Sequence, residues 1–172
     1  LARGGCNVLL MANTVAETQQ YYRRVMSLRR EGEFRVGLLH SNFPQFRREE
    51  LEADWVEALG KPRPDGPERP AGSILVSSQI TEQSVDIDAD ILISELAPSD
   101  LLLQRIGRVW RHRRDARPLP EPLCILIDRK LEACSDTAEF KAAAGPAARV
   151  YHPYVLYRTA RLWRQATELD QE

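Results

Sequence analysis

The sequence predicts an α/β domain with a mainly parallel sheet flanked by helices, and three observations predict it. Five short apolar runs read as strands: Cys6 to Ala12, Arg35 to His40, Ser73 to Ser77, Ile91 to Ser94 and Leu123 to Asp128. Most of them are apolar without alternation, the pattern of strands covered on both faces, as parallel sheets are. Stretches with helical spacing lie between several of them, which argues for crossover connections. Polar residues follow directly after three of the runs, at the strand ends where open parallel sheets take their ligands.

Each element has its own signal. Thr14 is an N-cap for a helix reaching about Arg30, with Glu17 three residues later in the capping-box pattern and Gly32 closing it. Val15, Tyr22, Val25, Met26 and Leu28 are its expected core contacts. Phe46 to Leu59 is a second helix with Glu49, Glu50, Glu52, Asp54 and Glu57 on its exposed side. Four prolines and three glycines in residues 60–72 forbid regular structure and predict an exposed loop. Ser99 to about Arg111 is a third helix. At about 100° per residue, Gln104, Arg108 and Arg111 share one stripe, with Arg105 and His112 beside it. Leu102, Leu103, Ile106, Val109 and Trp110 fall on the opposite arc, toward a core. Beyond Arg129 an alanine-rich stretch is broken at Gly145-Pro146, and a last helix runs from Pro153 to about Glu168. Leu156, Ala160 and Trp163 share one of its faces.

Composition narrows the chemistry. The net charge of −1 means that any nucleic-acid binding comes from a local patch. Such a patch exists: six arginines stand between Arg105 and Arg117. The planar guanidinium keeps its charge and can grip two phosphate oxygens at once. Asp86 follows a run of hydroxyls and amides, while Asp88 and Asp90 read as solvated loop acids. Trp110 and Trp163 read as core residues, and His112 and His152 as surface or packing residues. The three cysteines form no C-x-x-C pair, so neither a zinc site nor a disulfide framework is indicated. Cys6 and Cys124 are expected to be buried thiols, compatible with a reducing cytoplasm. No run approaches the ~18 apolar residues of a membrane span. The first residues are too few for a signal peptide and lack an initiator Met, which reads as a piece of something longer.

Several of these segments resemble a known set. I-L-V-S-S-Q-I-T-E-Q-S-V-D-I-D-A-D (74–90) resembles motif V of superfamily-2 helicases, and L-L-L-Q-R-I-G-R-V-W-R-H (101–112) resembles motif VI. V-L-L-M-A-N-T-V (8–15) resembles motif IV, and L-L-H-S-N-F (38–43) an H-S-x-F-type motif. The joined wording of motifs V and VI is similar to the helicase-nuclease of type I CRISPR systems. V-Y-H-P-Y-V-L-Y-R-T (150–159) is similar to the stretch just after the helicase core of that family. One departure is Asn42, where relatives often carry Arg.

The resemblance implies a fold, a site and partners. Residues 1–130 would be a second RecA-like domain, and 131–172 a helical extension or linker. Arg108 and Arg111 match the arginines that reach the ATP γ-phosphate from the facing domain. Gln104 matches the residue touching that phosphate or the acidic motif opposite. Asp86 matches an acid near the ribose, with Arg105 also on the nucleotide side. Asn13, Thr14, Ser78 and Gln79 match positions lining the single-stranded DNA backbone, and His40 and Ser41 lie in the same groove. The implied partners are the first RecA-like domain, an HD nuclease domain, single-stranded DNA and the RNA-guided CRISPR surveillance complex. ATP would be shared with the first RecA-like domain, which would hold Mg²⁺. The expected setting is cytoplasmic, with no membrane. This chain has no G-x-x-x-x-G-K-[ST] loop, no D-E-x-[DH] motif and no His-Asp pair, so alone it is expected not to hydrolyse ATP and to hold no metal. Two other readings stay open at this point: a non-catalytic nucleic-acid or protein docking module, and an RNA helicase domain.

Overall fold

The structure, a computed structural model, describes all residues except 83, 84, 128, 130 and 170–172, and for 132 and 167–169 the backbone alone. Five strands form one sheet: β1 (Asn7–Met11), β2 (Arg35–Leu39), β3 (Ser73–Ser77), β4 (Ile91–Glu95) and β5 (Leu123–Ile127). Their order is β2-β3-β1-β4-β5 and every pairing is parallel, as the apolar runs predict. The expected end of the fifth strand at Asp128 lies outside the described residues, as do Gln83 and Ser84 of the motif V stretch. Val8, Leu9, Met11, Leu75, Val76, Ile91 and Leu92 are buried at the centre of the sheet. Covering is incomplete at the edge: Leu123, Cys124 and Ile125 of β5 are exposed, so Cys124 is not the buried thiol expected, while Cys6 is.

Helix α1 (Val15–Leu28) starts as predicted, because the Thr14 hydroxyl accepts from the backbone N–H of Glu17. The box departs from the usual reciprocal form: Thr14 Oγ1 donates to Glu17 Oε2 at 2.8 Å. Met26 and Leu28 prove exposed rather than core contacts. Helix α2 (Gln45–Leu59) buries Trp55 and Leu59. Trp55 lies against β2 at Gly37, where an added Cβ would stand 2.3 Å from the indole ring. Arg35 stacks its guanidinium on the same ring, 4.3 Å from the centroid. The proline-rich loop 60–72 has no regular structure, as expected.

Helix α3 (Ser99–Ile106) is shorter than the arginine spacing predicts. The Gly107 N–H closes the last turn on Leu103 O, and the chain then turns extended. Val109 forms a parallel bridge with Ala89, through Ala89 N–H to Arg108 O and Trp110 N–H to Ala89 O. Trp110 has φ of 49°, which no helix contains. The amphipathic spacing is real, but pairing with residue 89 wins over propagation of the helix.

The last third carries α4 (Thr137–Ala144), α5 (Ala147–Val150) and α6 (Pro153–Leu169). Leu131, Phe140, Ala144, Ala147 and Leu156 form a second buried cluster, separate from the sheet's own. Helix α6 reaches back to the start of α3 at Ser99, whose hydroxyl lies 3.3 Å from both Thr159 Oγ1 and Trp163 Nε1.

Candidate functional site

The sheet order sets the site. Register pairs Leu39, Ser77, Met11 and Ser94 across β2, β3, β1 and β4, so the residues that follow stand side by side along one edge. They are His40, Ser78, Ala12-Asn13-Thr14 and Glu95. The sequence motifs therefore converge at the carboxyl ends of the strands.

Within that row the predicted residues differ in access. Ser41 is exposed, and Thr14 and Gln79 are half-buried. Asn13, His40 and Ser78 are buried. His40 stacks on Phe43 with ring centroids 4.3 Å apart, and its Nε2 lies 3.3 Å from Gln19 Nε2. Burial lowers its pKa and favours the neutral ring. Asn13 is committed internally: its amide donates to Leu96 O and its Oδ1 accepts from Arg105. Asn13 thus braces the edge rather than presenting a side chain to a ligand.

The arginines divide into three kinds. Arg105, expected beside the nucleotide, has 0% exposure. Its guanidinium donates to Glu82 Oε1 at 2.8 Å, Ser94 Oγ at 2.8 Å, Glu95 O at 3.1 Å, Asn13 Oδ1 at 3.0 Å and Tyr151 Oη at 3.3 Å. Where a place beside the nucleotide was expected, the structure shows these donors taken up inside the protein. Arg108 also departs from the projecting stripe. It is 7% exposed and donates to Val85 O at 2.8 Å and Glu82 O. Its Nε is buried and unpartnered among the described residues. Burial, followed by the neighbouring charge of Arg111, lowers its pKa. Arg111 does project: its side chain is 40% exposed, with Nε 2.7 Å from Asp86 Oδ1. Asp86 also faces His112 Nε2 at 2.9 Å. Gln104 is exposed on the helix nearby.

Other functional carboxylates escaped the sequence reading. Glu82 is buried against Arg105, yet burial outweighs that cation and raises its pKa. Glu95 accepts from the Asn13 N–H, Tyr21 Oη and Arg129, and Arg129 also holds Glu17. Burial first, then the charge of Glu95, pushes the Tyr21 phenol up to about 12. Asp88 and Asp90 are not solvated: both have 0% exposure. Arg69, Arg114 and Arg117 surround them, and Arg117 lies 4.8 Å from the Trp110 ring centroid. The one available signal was the abundance of arginine around 105–117 without enough nearby acids to match. Among the described residues no cluster of His, Cys, Asp and Glu could hold a metal, and no helix is long and apolar enough to cross a membrane.

A parallel sheet of this order, with polar loops and buried arginine–carboxylate pairs at its carboxyl edge, defines an α/β domain whose candidate ligand edge lies at the strand ends. The family model "CRISPR-associated nuclease/helicase Cas3, C-terminal" matches residues 4–114. The chain belongs to that family and is a C-terminal helicase domain of the Cas3 type. It is 43% identical over 113 residues to the CRISPR-associated nuclease/helicase Cas3 of Streptococcus thermophilus, covering 66% of this chain and 11% of that protein. The crystal structure of T. fusca Cas3-AMPPNP superposes with a TM-score of 0.79 at 33% identity, over 96% of this chain and 18% of that one. A chain of a CRISPR RNA-guided surveillance complex, pre-nicking, superposes with a TM-score of 0.70 at 32% identity, over 94% and 19% respectively. The chain therefore spans between a tenth and a fifth of the length of these relatives.

Proposed function

We propose that this chain is the second RecA-like domain of an ATP-dependent translocase acting on single-stranded DNA in type I CRISPR interference. Residues 1–130 form the domain and 131–172 its helical extension. The observation that carries the reading is the Arg111–Asp86 pair. It places an exposed guanidinium, held at 2.7 Å, at the end of motif VI. A guanidinium fixed in this way fits the charge on a phosphoryl group held by another domain. ATP is the substrate, and its Mg²⁺ belongs to the first RecA-like domain, whose motifs are missing from this sequence. Arg111 is the finger. Gln104, exposed on α3, is the second candidate for the phosphate. Arg108 is a positioning residue that pins the motif V loop through the carbonyls of Glu82 and Val85. The DNA backbone is met by the accessible members of the carboxyl edge, Ser41, Thr14 and Gln79, over the buried row of His40, Ser78 and Asn13. An HD nuclease domain and the RNA-guided surveillance complex are the further partners.

The test is complementation. The chain alone is expected to hydrolyse no ATP. Combined with the ATP-binding half, it is expected to restore hydrolysis stimulated by single-stranded DNA more than by RNA. Arg111→Ala then lowers the rate by about 10³-fold or more. Halves that fold and associate yet stay inert, or an Arg111→Ala assembly with ordinary rates, overturn the reading.

A further inference from the structure

The short 3-10 turn Gln79–Glu82 leaves the end of β3 and is held at both ends. At its far end the Glu82 carboxylate accepts from Arg105 of α3. At its near end Gln79 Nε2 donates to Tyr151 Oη at 2.7 Å. Arg105 NH2 reaches the same hydroxyl at 3.3 Å, closing a triangle between the turn, α3 and the C-terminal helices. Tyr151 caps α5, is half-buried, and lies beyond the residues that the family model matches. Its backbone N–H is fixed to Ala147 O, and its ring packs against the second buried cluster. The hydroxyl is therefore a fixed post, and the side chains of motifs V and VI hang from it.

Resting on the function proposed above, we propose that Tyr151 is a positioning residue that couples the nucleic-acid grip at Gln79 to the arginine helix. Two donors from different motifs share one acceptor oxygen. A shift of α3 that moves Arg105 must strain or release the Gln79 contact, and a pull on Gln79 is felt at Arg105. The C-terminal helices are then part of the coupling and not only a spacer.

Tyr151→Phe removes the oxygen and leaves the ring packing. In the chain itself, hydrogen exchange across residues 79–82 is expected to accelerate about tenfold while the melting temperature stays near wild type. In the assembly with the ATP-binding half, the DNA concentration giving half-maximal stimulation is expected to rise about three- to tenfold. The maximal rate and the DNA-free rate stay within about twofold. On a Gln79→Ala background Tyr151→Phe has a smaller effect than in the wild type, since only the longer Arg105 contact is left to lose. Unchanged exchange, unchanged half-maximal DNA, or fully additive effects overturn the proposal. A wild-type assembly without stimulation overturns the function instead, and the exchange measurement then still decides whether Tyr151 holds the turn.

Discussion

Arg105 shows how a basic residue in a helicase motif can be structural. It sits at 0% exposure with donors directed to five oxygens from motif IV, motif V, β4 and the C-terminal helices. Its main partner is the Glu82 carboxylate, 2.7 Å away and itself buried. A buried pair of this kind adds little net stability as a pair, but losing one partner leaves a charge stranded. Arg105→Met is therefore expected to destabilise the chain by about 3–5 kcal/mol in urea unfolding. Adding Glu82→Gln should recover part of that loss. A change under about 1 kcal/mol would show that the pair is dispensable. Arg111, exposed on the same motif, follows the opposite logic: its loss should spare the fold and remove the rate.

At the scale of elements, the close approach of α2 to β2 depends on a small residue. Gly37 leaves room for the Trp55 indole, where a methyl group would overlap the ring by more than an ångström. Trp55 in turn anchors the whole of α2, whose other face is charged and solvated. Gly37→Ala is expected to lower stability by about 1–3 kcal/mol, seen as a lower thermal midpoint with loss of tryptophan burial in fluorescence. An unchanged midpoint would mean that α2 can slide to make room. The end of α3 has a similar tertiary cause. Gly107 stops the helix, and the bridge between Val109 and Ala89 draws the chain into an extended course that buries Arg108 and frees Arg111.

On the scale of the molecule, both ends of the sheet are built on buried arginine–carboxylate contacts. Its carboxyl edge carries the candidate site. Its amino end carries Asp90, which accepts from the Asn7 N–H at the start of β1 at 2.8 Å. Arg69 of the proline-rich loop closes on it, with NH1 at 2.8 Å from Asp90 Oδ1 and NH2 at 2.6 Å from Asp88 O. This loop looks free in sequence but is clamped to the base of the sheet. Arg69→Ala is expected to speed subtilisin cleavage within residues 60–72 by about tenfold while the helicase-type core stays resistant. Equal cleavage rates would place the anchor elsewhere in the loop.

The strands, the Thr14 cap, the loop at 60–72 and the converging motifs were legible in the sequence. Each is set by residues close in the chain: apolar runs, a hydroxyl three residues before an acid, prolines without donors. The resemblance of motifs V and VI supplied the family from wording alone. Access and partnership were not legible. A helical stripe gives the direction of a guanidinium but not what waits there. For Arg105 that is Glu82, 23 positions away, and for Arg117 it is Asp88, 29 positions away. Only the tertiary structure could choose between an arginine that faces a ligand and one that neutralises a buried carboxylate. Local periodicity is a property of neighbours along the chain, whereas desolvation and charge pairing depend on residues that the parallel crossovers bring together.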